Sequence, residues 1–273
     1  FDHVGTGPPV VFLHGIGGRR QNWARQLTAL ADRFTCIAWD ARGYGESDDS
    51  PGPREFAVFA DDLARLLDHL DIAQAHLVGL SMGARILMDF YPRYRERVAS
   101  LSLCDCFYSY QNALTPEKQR EYIELRERPL REGKTFAELA PTLIDSLVSK
   151  HCPAAVRAEL HASIVSLRAE SYLKTLRSSI GFECAETLNN VAVPVQLSFG
   201  ADDQLTPPAI GETMRNALPD ARLEVLADAG HLSNLEQPVA FNTCLRAFLM
   251  QRRNSAHFNR GHVGCGDRDK RNE

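Results

Sequence analysis

The polarity pattern changes period several times along the first hundred residues. PVVFLH (9–14) is a short, continuous apolar run and reads as a buried strand. RRQNWARQLTALAD (19–32) then places Trp23, Leu27 and Leu30 on one helical face, and FTCIAWD (34–40) is strand-like again. FAVFADDLARLLDHLD (56–71) has apolar residues at helical spacing and acids in its first half. AHLVGL (75–80), MGARILMDFYPR (82–93) and VASLSLCD (98–105) follow as strand, helix and strand. Strands alternating with helices over short connections predict an α/β fold, with a mostly parallel central sheet flanked by helices.

The alternation stops near 107 and resumes near 189. Between these points almost every segment has helical character, beginning with TPEKQREYIELRERPLREG, where Thr115 caps a helix that opens on Pro116. VPVQLSFG (193–200) and ARLEVLA (221–227) are the returning strands, with helices over 208–217 and 238–252. The expected organisation is a core in two parts, 1–106 and 189–252, with an all-helical lid inserted over 107–188. A polar tail over 253–273 has no periodicity and is expected to be disordered.

Within that frame LVGLSMGAR (77–85) sets a serine between two glycines, with a strand before it and a helix after it. Gly79-Leu80-Ser81-Met82-Gly83 fits G-x-S-x-G, a sharp turn that lifts a serine hydroxyl out of a sheet. The N–H of Met82 then lies at a helix N-terminus, where it can stabilise an oxyanion. A serine nucleophile needs a base and an acid to orient it. Of nine histidines, His231 is the one that follows a late strand and loop, ARLEVLADAG. Asp203 follows the strand VPVQLSF, with Asp202 beside it as a rival and Asp105, after the preceding strand, as a third candidate. The chain order Ser…Asp…His is that of hydrolases built around this turn.

Composition narrows the classes. The chain has 273 residues, 44% of them hydrophobic, and a formal net charge of −4, which gives no basic field for nucleic acid. No apolar run reaches the ~18 residues of a membrane span, and the N-terminal FDHVGTGPPVVFLHG lacks a basic leader. Seven cysteines, odd in number and irregular in spacing, fit a reducing, cytoplasmic setting. Cys104 and Cys106 form C-x-C rather than a metal or redox C-x-x-C. GIGG (15–18) is not a dinucleotide loop, because Arg20 stands where the third glycine belongs.

Taken together, the motifs resemble the α/β-hydrolase superfamily from Gly5 to about Met250, most closely its 3-oxoadipate enol-lactonase and carboxylesterase branch. FLHGIGG resembles the oxyanion loop, WDARGYGESD the D-x-R-G-x-G-x-S motif and VGLSMGA the nucleophile turn. GADDQLTP resembles the acid loop and AGHLSNLEQP the histidine loop. The resemblance implies Ser81 as nucleophile, His231 as general base and acid, Asp203 as its orienting acid, and the N–H groups of Ile16 and Met82 as oxyanion hole. It favours Asp203 over Asp202 because Asp203 falls three after Gly200 and four before Pro207. The residues themselves suggest supporting roles: His14 for the oxyanion loop, Asp40 and Arg42 for the turn after their strand, Trp23 in core or pocket wall, and Arg85 in a structural ion pair rather than facing a substrate carboxylate. Two departures stand out. Ala84 replaces a usual glycine, and Phe1 falls near the end of the family's second strand, so a first strand is expected to be missing.

The expected reaction is hydrolysis of a small-molecule carboxylic ester or lactone through an acyl-serine, with no metal or organic cofactor. Alternatives on the same triad are a C–C bond hydrolase of ring-fission diketones, a cofactor-free haloperoxidase or perhydrolase, and a non-hydrolytic receptor. Dehalogenases and epoxide hydrolases are disfavoured because they carry Asp where this chain has Ser81. Tyr122, Leu143, Ile144 and Ile164 are the lid positions expected to face the pocket.

Overall fold

The computed structural model describes residues 1–109 and 115–258. Four short segments rich in β-branched and apolar residues form the middle of the sheet: β2 (Pro9–Leu13), β4 (Ala75–Leu80), β5 (Val98–Cys104) and β6 (Val195–Gly200). They are buried almost throughout, as strands covered on both faces must be. With β1 (Asp2–Val4), β3 (Thr35–Ala38) and β7 (Ala221–Leu226) they make a seven-stranded sheet in the order β1-β3-β2-β4-β5-β6-β7. All pairings are parallel except β1 with β3.

The two-residue period of a strand sends alternate side chains to opposite faces. Val11, Leu13 and Leu77 pack with Leu63, Leu67, Ile86 and Phe90 of α2 (Val58–His69) and α3 (Met82–Arg93). Val10, Phe12, Val78 and Leu80 pack on the other face with Leu27, Leu30, Phe241 and Phe248, from α1 (Ala24–Leu30) and α11 (Pro238–Phe258). Trp23, in a 3-10 turn just before α1, belongs to this second layer and stacks near Phe12 and Phe241.

Between β5 and β6 lie α4 (Pro116–Arg131), α5 (Phe136–Asp145), α6 (Ala154–Val165), α7 (Ala169–Gly181) and α8 (Ala185–Leu188). Thr115 caps α4 through the Lys118 N–H, and Thr135 with Glu138 forms a capping box on α5. α5, α6 and α7 share an apolar cluster of their own, built on Phe136, Ile144, Leu160, Ile164 and Tyr172. β6 pairs directly with β5, so this helical block is an insertion that the sheet closes without.

Asp2–Val4 forms the edge strand, antiparallel on β3, from the stretch read as the end of a second strand. Two departures from the sequence reading are local. A turn of helix, α10 (Ser233–Glu236), follows His231 and is too short to leave a periodic signal. α11 continues over 253–258, where a disordered tail was expected, since no Gly or Pro interrupts MQRRNSAHF. The rest of that tail, 259–273, and 110–114 of the helical block lie outside the described residues. α9 (Pro208–Ala217) completes the layer beside β6 and β7.

Candidate active site

Parallel strands deliver their C-terminal ends to one edge, where α/β sheets bind ligands. Here β2 ends at the oxyanion loop, β4 at Ser81, β5 at Asp105, β6 just before Asp203, and β7 shortly before His231. Ser81 is held at φ 53°, a region that disfavours L side chains, between the end of β4 and the start of α3. The flanking glycines permit the turn by close approach. A Cβ on Gly79 would lie 2.4 Å from the Gly83 carbonyl carbon, and one on Gly83 would lie 2.3 Å from the Leu13 carbonyl oxygen. Ala84 is buried within α3 without disturbing this contact.

The three residues expected to act together do meet. Ser81 Oγ lies 2.9 Å from His231 Nε2, and His231 Nδ1 lies 2.8 Å from Asp203 Oδ2. With Nδ1–H donating to the carboxylate, Nε2 presents its lone pair to the serine hydroxyl. Asp203 also accepts the N–H groups of Leu205 at 2.8 Å and Thr206 at 3.0 Å, together with the Thr206 hydroxyl. Burial pushes its carboxyl up, but the charge and hydrogen bond of His231, with the Thr206 bonds, outweigh it and keep the carboxyl below the usual range. For His231 burial opposes the charged form, yet the bond and charge of Asp203 prevail and raise its pKa. Asp202 is separate: its N–H donates to the Ala229 carbonyl at 2.8 Å, and its backbone turns the chain so that Asp203 alone faces the imidazole.

Asp105, the third candidate, bonds elsewhere than to the imidazole. It is fully buried and accepts the Gly200 N–H at 2.8 Å and the Ser233 hydroxyl at 2.6 Å. It thereby ties the ends of β5 and β6 to the histidine loop. Burial, reinforced by the charge of Asp203, pushes it up to about 7 against the opposing pull of His231. Glu236 secures the same loop from the other side, accepting from Gly230 N–H and, across to the helical block, Ser149 N–H, each at 2.8 Å.

The Gly15–Gly18 loop, read from the sequence as an oxyanion loop, is locked by His14. The Ala41 N–H donates to His14 Nε2 at 3.0 Å, which leaves Nδ1–H to donate to the Gly15 carbonyl at 2.8 Å. Burial lowers the pKa of this imidazole and keeps it neutral in that role. Met82 opens α3, so its N–H has no intrahelical acceptor. Ile16 borders the cavity with Ser81 and His231. Asp40 accepts the Arg20 and Glu46 N–H groups at 2.8 and 3.1 Å and so braces its own turn. Arg42 instead reaches α2, pairing with Asp62 at 2.6 Å. Arg85, buried in α3, donates to Ser179 Oγ at 2.7 Å and to the Phe182 carbonyl, binding the helical block to the core.

Above Ser81 and His231 lies a cavity of about 90 Å³, and Tyr122, Leu143 and Ile164 border it as the sequence led us to expect. Ile144 is absent from that wall and packs inside the block's own cluster. A second chamber of about 40 Å³, reached past Gly15, Ile16 and Leu80, is closed by Trp23, Leu160 and Leu235. Sequence reasoning missed Thr206, whose hydroxyl bonds Asp203 and lies 3.1 Å from His231 Nδ1. Its signal was available: an Asp followed by Thr three residues on, before Pro-Pro, is a side-chain-capped turn. It also missed Arg126 on the cavity wall, which no local pattern marks.

A strained serine at the end of a parallel strand, with its histidine and carboxylate on the next loops, is the arrangement of α/β-hydrolases. A family model described as alpha/beta hydrolase fold matches residues 8–122. The chain is 32% identical over 263 residues to a Mycobacterium tuberculosis protein named "Putative non-heme bromoperoxidase BpoC", covering 91% of this chain and 96% of that one. It is 28% identical over 250 residues to 3-oxoadipate enol-lactonase 2 of Acinetobacter baylyi, covering 89% and 88%. Among solved structures it is similar to a thermophilic esterase from Thermogutta terrifontis with malate bound, at 31% identity and a TM-score of 0.85, covering 92% of each chain. The chain belongs to the α/β-hydrolase superfamily. No helix among the described residues is long and apolar enough to cross a membrane.

Proposed function

We propose that this chain is a serine hydrolase that cleaves a small carboxylic ester or lactone through an acyl-serine. The observation that carries the reading is the unbroken hydrogen-bonded line from Ser81 Oγ through His231 to Asp203, at 2.9 and 2.8 Å. In that reading Ser81 Oγ attacks the carbonyl carbon while His231 Nε2 takes its proton. The oxyanion forms against the N–H groups of Ile16 and Met82. The imidazolium, stabilised by Asp203, returns the proton to the departing alkoxide. Water then attacks the acyl-serine with His231 again as base, and Ser81 leaves with its proton restored. The helices of 107–188 act as a lid that shapes the pocket and excludes water.

The relatives named as an esterase and an enol-lactonase support this class of substrate. The relative named as a bromoperoxidase favours one second reading, in which peroxide replaces water and a peracid results. A turnover screen over aryl esters, lactones and ring-fission diketones, with and without hydrogen peroxide, separates the readings. Ser81→Ala is the control throughout. The expected result is peroxide-independent ester or lactone hydrolysis that the control lacks. Hydrolysis retained by Ser81→Ala removes the acyl-serine, and product formed only with peroxide installs the second reading.

A further inference from the structure

The cavity over Ser81 and His231 has one permanent cation in its wall, Arg126, and no Asp or Glu. Arg126 sits on α4, one turn after Tyr122. Its guanidinium carbon lies 3.5 Å from the centre of the Tyr122 ring, and Nη1 donates to the Tyr122 carbonyl at 3.2 Å. Tyr172 of α7 faces it: burial pushes that phenol up to about 12, while the charge of Arg126 and a side-chain hydrogen bond with it pull the other way. Several other arginines on the block are matched with carboxylates, Arg120 with Glu117, Arg131 with Glu124 and Arg177 with Glu127, whereas Arg168 reaches the Ser47 carbonyl. No carboxylate among the described residues lies within ion-pair distance of Arg126.

A guanidinium held over a ring and tied to the Tyr122 carbonyl has little freedom, and a guanidinium fork can match a carboxylate in two parallel hydrogen bonds. In a partly enclosed cavity such a pair is stronger than in open water. A cation placed there without a counterion penalises a purely apolar substrate and rewards one that brings the missing charge. We infer that Arg126 anchors a carboxylate of the substrate, so that the ester or lactone taken is an acidic one. The inference rests on the serine-hydrolase reading for the reacting group, but the anchoring itself is independent of turnover.

Two pairs of substrates test it. Mono-para-nitrophenyl adipate against its methyl ester puts the charge on the acyl side, and para-acetoxybenzoate against its methyl ester puts it on the leaving side. The wild type is expected to prefer the charged member of at least one pair. Arg126→Gln should lower that preference, as a ratio of kcat/KM values, by roughly ten- to a hundredfold, the range for hydrogen bonds to a charged group. Arg126→Lys, which keeps the charge and loses the fork, should fall between. A ratio unmoved by Arg126→Gln in both pairs overturns the inference and leaves Arg126 as a prop for Tyr122. Calorimetry with monomethyl adipate on the Ser81→Ala protein gives the second readout. Adding Arg126→Gln should weaken binding by a similar factor, and equal affinity overturns the anchor. If the wild type hydrolyses no member of either pair, the proposed reaction fails while the calorimetry still decides the anchor.

Discussion

The floor and the roof of the cavity are built on different physics. On the floor, Ser81, Asp203 and His231 stand at strand ends. Each is fixed by backbone geometry and by hydrogen bonds that leave little freedom: a positive φ at Ser81, two N–H donors and a hydroxyl on Asp203, and carboxylates bracing the histidine loop through Ser233 and Gly230. The roof is held by packing and by polar contacts from α6, the α5–α6 loop and, most densely, α7. Ser163 Oγ donates to the Gly17 carbonyl at 3.0 Å, the His231 N–H donates to the Leu147 carbonyl at 2.7 Å, and Arg25 pairs with Glu159 at 2.7 Å. Along α7, Arg54 donates to Thr175 Oγ1 at 2.5 Å, Ser171 Oγ donates to Asp49 at 2.5 Å, and Arg85 reaches Ser179. α4, which carries Tyr122 and Arg126, has no buried residue at all. In the proposed reaction, a floor so constrained would set whether chemistry occurs, and a roof whose outermost helix α4 has no buried residue would set what fits beneath it.

The sharpest break of that contrast is at the nucleophile. Ser81→Ala should lower kcat by roughly 10⁴–10⁶ while melting like the wild type, because in the proposed reaction the hydroxyl does the attacking and its loss removes a single atom. More than a few per cent of activity, in protein free of wild type, would contradict the assignment. The acid comes next. Asp203→Asn should cost about 10⁴ in kcat, since an amide facing Nδ1 favours the wrong tautomer. Asp202→Asn, with its side chain outside that hydrogen-bonded line, should cost less than about threefold by the same argument. Steady-state kinetics on a single activated acetyl ester reads both, and a reversed ranking would show that the orienting acid is misassigned.

Roof substitutions should behave differently. Leu143→Ala and Ile164→Ala enlarge the wall of the cavity without touching the triad, the second also lowering the melting temperature because Ile164 belongs to the block's own cluster as well. Each should shift the ratio of kcat/KM between bulky and short acyl esters by about tenfold, since a methylene of fit is worth roughly 1–3 kcal/mol. Ile144→Ala, inside the block's own cluster, should instead lower the melting temperature and scale all substrates alike. If all three variants scale every substrate by one factor, the roof is only a brace.

The same division explains what the sequence made legible. The strand–helix alternation, the G-x-S-x-G turn and the acid and histidine loops were readable because backbone geometry restricts which residues those positions accept. At Gly79 and Gly83 no side chain fits at all. The helices of the roof were readable from period and caps, Thr115 and Thr135 above all. Which of their faces lines the cavity was not, as Ile144 shows, because that depends on how helices far apart in the chain pack together. Asp105 and Ser233 are joined across 128 positions and Ser149 and Glu236 across 87, and no local pattern encodes such pairings.

Asp105 offers the finest test, since it belongs to the floor yet touches none of the reacting atoms. His231 must be neutral to accept the Ser81 proton, and its pKa is raised, so kcat/KM should fall on an acid limb lying above the ordinary imidazole value of about 6.5. Part of that elevation comes from the charge on Asp105, which itself titrates near 7. The limb in the wild type is therefore a coupled titration of two groups, in which a proton taken by Asp105 weakens the hold on the next one at His231. Asp105→Asn removes the negative charge. The imidazolium loses a stabilising neighbour, its pKa falls, and the limb should move to lower pH by up to about one unit and sharpen toward a single ionisation. A role confined to holding Gly200 and Ser233 in place would lower kcat/KM at every pH and leave the midpoint where it was. A pH profile of kcat/KM on the para-nitrophenyl acetate ester distinguishes the two outcomes, and a limb that stays put or moves upward would remove Asp105 from the electrostatics of the site.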